Sequence, residues 1–120
     1  MQATRSSANQ VPAAPTGPLE ALKQSGGRVL LEWGPTRSAA GEANIKNLIL
    51  ERLEENRGRW EILATLGPNK RSYMVDRVSS DVTTYYRLSA ENVYGKGQPI
   101  QTSISYTSTP SGRIILISCY

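Results

Sequence analysis

The sequence predicts an all-β protein, a two-sheet sandwich of about seven antiparallel strands, on the strength of three observations. Apolar residues between Pro15 and Tyr106 recur at alternate positions in short runs, clusters of Gly, Pro, Asn and Ser divide those runs, and no stretch keeps helical spacing for long. Short strands at regular intervals must hide one face each, and pairing two sheets face to face does so.

With 120 residues, seven prolines, ten glycines and 38% apolar content, the chain has room for one core. Residues 1–14 are rich in Ser, Ala and Gln without periodicity and read as a flexible linker. Residues 15–106 form the β-rich domain, and 107–120 form a C-terminal tail. The tail's "RIILISCY" is apolar enough to pair as a strand but has no evident place in a completed sheet.

Within the domain, "RVLLEW" sets Val29, Leu31 and Trp33 on one face and Leu30 and Glu32 on the other, with Trp33 expected at the core's centre. "IKNLILERLEE" offers Leu48 and Leu50 to one face and Ile49, Glu51 and Leu53 to the other. It is ambiguous by face and is also readable as a helix, but its short length and the flanking turn "ENRG" favour a strand. "RWEILATL" follows as a hairpin partner, placing Trp60 and Ile62 on one side, and "GPNK" reverses the chain. "SYMVD" aligns Tyr73 with Val75. "TTYYRLSAEN" has the cleanest alternation, Thr84, Tyr86, Leu88 and Ala90 against Tyr85, Arg87, Ser89 and Glu91, and "QPIQTSISY" completes the set. The expected core is Leu31, Trp33, Leu50, Trp60, Tyr86, Leu88 and Ala90.

The composition removes function classes. The chain has no histidine, so the commonest general base and zinc ligand is missing. Serines are plentiful, but Lys23, Lys46, Lys70 and Lys96 are scattered, and no Ser–Lys arrangement stands out. Glu51, Glu54 and Glu55 lack the dense oxygen-ligand spacing of a cation site and read as a solvated strand end. No catalytic residue, metal site or cofactor site is expected, and the protein is read as no enzyme. The single cysteine, Cys119, has no partner for an internal disulfide. Met1 to Pro12 lacks the apolar run of a signal peptide, and Ile114 to Ile117 is too short to span a bilayer, so no membrane insertion is expected.

A net charge of +4 favours acidic partners without specifying one. Arg57 and Arg59 flank one turn and Lys70 and Arg71 another, with Arg77 and Arg87 near them in sequence. Gathered together, they would attract heparin-like polyanions or acidic surfaces in a salt-sensitive way. The interspersed Glu32, Glu51, Glu61, Asp76 and Asp81 favour an ordinary solvated surface instead, and no specific nucleic-acid partner is expected.

The stretch "AENVYGKG" fits either a phosphate cradle or a chain reversal. A cradle needs a helix after the glycines, and nothing helical follows Gly97. Asn92, Gly95 and Gly97 are therefore expected to shape a turn, the asparagine by bonding local backbone and both glycines by taking positive φ.

Along 15–106 the chain resembles a fibronectin type III module. The resemblance is carried by "PAAPTGPL", by "VLLEW" and its tryptophan, by "GPT", by Trp60 and, most specifically, by "YYRLSAENVYGKGQP". It implies an immunoglobulin-like two-sheet sandwich acting as a protein-interaction or spacer module in a larger multidomain protein, with Ig-like or type III neighbours in tandem. "RLSAENVYGKG" further resembles modules of the intracellular titin-like and myosin-associated muscle group, although cell-surface adhesion receptors use close variants. The absence of any Asn-x-Ser/Thr sequon favours an intracellular over an extracellular setting. The Arg-Gly-Asp loop of some members is replaced by "VYGKGQ", leaving Tyr94 at the turn's tip, with Lys96 beside it, as the expected partner contact. Two departures stand out. The family's buried corner tyrosine falls at Thr84, which predicts a softer corner, and the aromatic often found at the Leu48 position is missing.

Overall fold

A computed structural model describes residues 10–38, 43–76, 78, 81–108 and 114–116; of residues 106–108 and 114–116 only the backbone is described. The expectations for residues 1–9, Arg77 and Cys119 lie outside the described residues.

The fold is all-β. A three-stranded antiparallel sheet is formed by β1 (Glu20–Lys23), β2 (Val29–Glu32) and β5 (Ser72–Val75), in that order. The second sheet runs β4 (Trp60–Leu66), β3 (Asn47–Glu54), β6 (Thr83–Asn92), β8 (Ile100–Ser108) and β9 (Ile114–Leu116), with the two-residue β7 (Gly95–Lys96) also paired to β6. The "IKNLILERLEE" segment is thus a strand, pairing on one side with β4 and on the other with β6. β1 falls within a Pro- and Gly-rich region where alternation alone gave no strand, and a short 3-10 turn, Ser25–Gly27, links it to β2. The apolar "IIL" of the C-terminal stretch finds a place beside β8, Tyr106 opposite Leu116 and Ser108 opposite Ile114.

The facing surfaces of the sheets make the core. Val29, Leu31, Leu48, Leu50, Tyr86, Leu88 and Ala90 have no solvent exposure, and Leu19, Trp33, Val75, Val78 and Ile104 close the cluster. Each large apolar side chain removed from water contributes about 1.5–3 kcal/mol, set against the entropy of ordering the chain. Trp33 brings a polar group inside and satisfies it: its indole Nε1 donates to the Lys70 carbonyl at 2.8 Å, while its backbone N–H donates to that of Arg71 at 3.1 Å.

Trp60 corrects the sequence expectation, because it lies outside this buried cluster and is only half-buried. The register of β3 with β4 slips between Leu50 and Glu51: Leu50 faces Ala64 and Glu51 faces Ile62, which leaves Leu63 unmatched as a bulge. One extra residue reverses the faces of a strand. Ala64 and Leu66 therefore pack inward, whereas Trp60 and Ile62 share the outer face, where Ile62 is 65% exposed. At the start of β6, Thr84 is buried and its hydroxyl has no hydrogen-bond partner among the described residues.

Candidate functional site

The turn that joins β6 to β7 is built around Asn92, whose side chain is buried. Its Oδ1 accepts the Tyr94 backbone N–H at 2.8 Å, and its Nδ2 donates to the Gln10 carbonyl at 2.8 Å. One amide thus shapes the turn and holds the chain's N-terminal approach against it. Gly95 adopts a φ of 131°, which side-chain-bearing residues rarely take. Gly97 does not have positive φ; the expectation is corrected, and the cause is contact. A Cβ there would fall inside the van der Waals surface of the Pro12 carbonyl oxygen. Pro12 is buried, so Gln10 to Pro12, within the stretch read as linker, are seated on the domain.

Three exposed apolar side chains lie on or against this turn. Tyr94 is 50% exposed, Val93 is 66% exposed, and Val11 lies against Gly95 at 42% exposure. Tyr94 is presented by a turn whose backbone is tied down, so its ring offers contact area at low ordering cost.

A second cluster occupies the outer face of the larger sheet. Glu51, opposite Arg87 in register, is only 6% exposed. Arg87 donates to it twice, at 2.8 and 3.3 Å, and the Lys96 Nζ donates at 3.2 Å. The Arg87 guanidinium also lies 4.1 Å from the centroid of the Trp60 ring. Burial by itself raises the Glu51 pKa, but the hydrogen bonds and charges of Arg87 and Lys96 outweigh it and hold the carboxyl below its ordinary value. Lys96, singled out as a partner contact, is therefore engaged within the chain. Glu91 adds a second carboxylate beside it, opposite Lys96 in register and accepting from the Asn47 Nδ2 at 3.0 Å. The four charges balance, and the cluster's chemistry is cohesive.

The basic residues of the two turns do not gather. Arg57 and Arg59 lie in the turn before β4, and Lys70 and Arg71 in the turn after it. The seven residues of β4 put about 20 Å between the two turns, well beyond a Debye length at physiological salt. Arg57 is further occupied by Glu54 at 3.0 Å and Glu61 at 4.0 Å. A single polyanion-binding surface made of both turns is not what this fold assembles. Among the described residues, no group of three or more His, Cys, Asp or Glu side chains gathers to hold a metal, and no helix is long and apolar enough to cross a membrane.

No family model matches the chain. A curated relative, the titin homolog of Caenorhabditis elegans, is 29% identical over 103 residues, 85% of this chain. The match covers 0%, to the nearest per cent, of that relative's own length. Among solved structures, one described as titin kinase and its flanking domains superposes with a TM-score of 0.61 at 26% identity, over 78% of this chain and 16% of that one. A structure described as FN3tt mut superposes with a TM-score of 0.61 at 21% identity, covering 80% of this chain and 97% of its own.

Proposed function

Because the chain carries a fibronectin type III domain similar to those of titin, we propose that it works as a non-catalytic protein-interaction and spacer module of a larger multidomain protein. Domain relatives in large muscle proteins support the modular part of the reading. The interaction part rests on one observation: Tyr94 stands half-exposed beside Val93 and Val11 on a turn fixed by Asn92. A monomer gains nothing by holding such residues in water, whereas a partner that covers them gains their burial together with a preordered aromatic anchor.

The test is capture of proteins from muscle and neural lysates on the immobilised chain, at low and raised salt, beside a Tyr94→Ala variant. Partners retained at raised salt by the wild type and lost by the variant support the reading. Capture that is indifferent to Tyr94 and vanishes with salt overturns it.

A further inference from the structure

We propose that the groove between residues 35–37 and 68–71 is an oxyanion site, which takes a carboxylate or phosphate group presented by a partner protein. The groove encloses about 270 Å³ and is lined by Pro35, Thr36, Arg37, Pro68, Asn69 and Arg71. Arg37, Asn69 and Arg71 bring two guanidinium groups and a side-chain amide to its lining, and among the described residues no carboxylate lines it. Neither Arg37 nor Arg71 has an ion-pair partner among the described residues, in contrast to Arg52, Arg57 and Arg87. The Thr36 hydroxyl is buried at the groove without a hydrogen-bond partner among the described residues. A buried hydroxyl with nothing to bond is costly, and a turn of the Thr36 side chain toward a bound oxyanion would remove that cost.

The walls are held before any ligand arrives. Trp33, in the core, ties down the 68–71 wall by donating its indole and backbone N–H groups to the Lys70 and Arg71 carbonyls, and it leads directly into the 35–37 wall. The Lys70 N–H donates to the Gly67 carbonyl at 3.2 Å, closing the turn, and a proline fixes φ in each wall. Arginine is the side chain suited to this task, since its planar fork matches two oxygens of one anion.

The neighbouring, larger groove shares Arg71 but has the opposite character. It is lined by Glu20 and Glu32, which stand opposite each other across β1 and β2. Those two carboxylates repel an anion from that side, so the anion is directed to the side of Arg71 shared with Arg37. Arg71 thus acts with Arg37, on another loop, and apart from Arg57 and Arg59.

What presents the anion rests on the interaction-module reading; the groove itself does not. The test is therefore made with small ions on the ¹⁵N-labelled full chain. Inorganic phosphate and, separately, acetate are titrated against chloride at constant ionic strength, following backbone amides and arginine Nε–H signals. The expected result is saturable shifts at Arg37, Asn69 and Arg71, half-complete on the order of 1–10 mM, a range that suits one exposed charge-assisted contact. Arg57 and Arg59 are the internal control and should shift little. R37Q and R71Q should each weaken binding about tenfold, the size of one lost charge-assisted bond. Saturation by both ions assigns the site to acidic side chains in general, and saturation by phosphate alone assigns it to phosphorylated residues. Shifts that never saturate, that are equal at Arg57 and Arg71, or that persist in both variants overturn the proposal. Capture that is indifferent to Tyr94 and vanishes with salt, with the ion titration intact, would refute the module reading and leave the groove standing.

Discussion

Replacing Arg87 with methionine keeps most of the side chain's length and removes its charge, and the fold should feel this more than the loss of the carboxylate it holds. Arg87 donates two hydrogen bonds to Glu51 and covers the Trp60 ring. A charge-assisted bond contributes about 1.5–3 kcal/mol and a partly exposed cation–π contact about 0.5–1 kcal/mol, so Arg87→Met should cost about 2–4 kcal/mol. It leaves behind a carboxylate whose side chain is 8% exposed, with Lys96 alone to compensate it. Glu51→Gln is milder, about 1–2 kcal/mol, because a carboxamide oxygen still accepts one bond and the abandoned cations regain water. Those cations are accessible enough for that, at 27% for Arg87 and 40% for Lys96. The two variants also differ in pH response. The Glu51 pKa is lower in the folded than in the unfolded state, so its contribution is complete above the unfolded value, about 4.3, and is lost as pH falls through the folded one. Wild type and Glu51→Gln should therefore converge in stability as acidification passes through the lowered folded-state value. Urea unfolding at stepped pH, followed by tryptophan fluorescence and circular dichroism, measures both effects. Equal losses for the two variants, or a gap between wild type and Glu51→Gln that stays constant from neutral to acid pH, would refute the account of this cluster.

Two further substitutions address the corner and the turn. Thr84→Val should raise stability by about 1 kcal/mol, visible as a higher thermal midpoint, because it replaces a buried hydroxyl lacking a described partner with a methyl of the same shape; a lower midpoint would mean the hydroxyl is satisfied. Gly97→Ala should cost about 1–3 kcal/mol by forcing Pro12 away, and the cost should disappear in a chain lacking residues 1–12. A penalty that survives the truncation would place its origin in the turn's own backbone.

Parts of this fold were open to reading from the order of residues. In β6 the inward set, Thr84, Tyr86, Leu88 and Ala90, is buried as its alternation implied, since a regular strand hides every second residue. β3 resisted assignment by face because Ile49 and Glu51 on its outer side are buried as well. The cover over Glu51 comes from Arg87, 36 positions away, and Lys96, 45 positions away, a pairing that no local pattern announces. Trp60 and Ile62 do share a face, but alternation cannot say which, and the bulge at Leu63 reverses the answer halfway along β4. Gly97 looked like a turn glycine and is a contact glycine; the residue it accommodates, Pro12, lies in a stretch without periodicity. Arg37 and Arg71 line one groove because Trp33, which leads into the first loop, hydrogen-bonds the second, 37 positions away.

The bond between Asn92 and Gln10 joins residues 82 positions apart. A load applied at the N-terminus would therefore reach the β6–β7 turn before it reached β1, through Pro12 wedged at Gly97 and the Asn92 amide. Such a load must strip this short strap before it can pull on a strand, and the surface carrying Val11, Val93 and Tyr94 would come apart at that first step. In a chain under tension, Val11 would part from Val93 and Tyr94 while the sandwich was still intact.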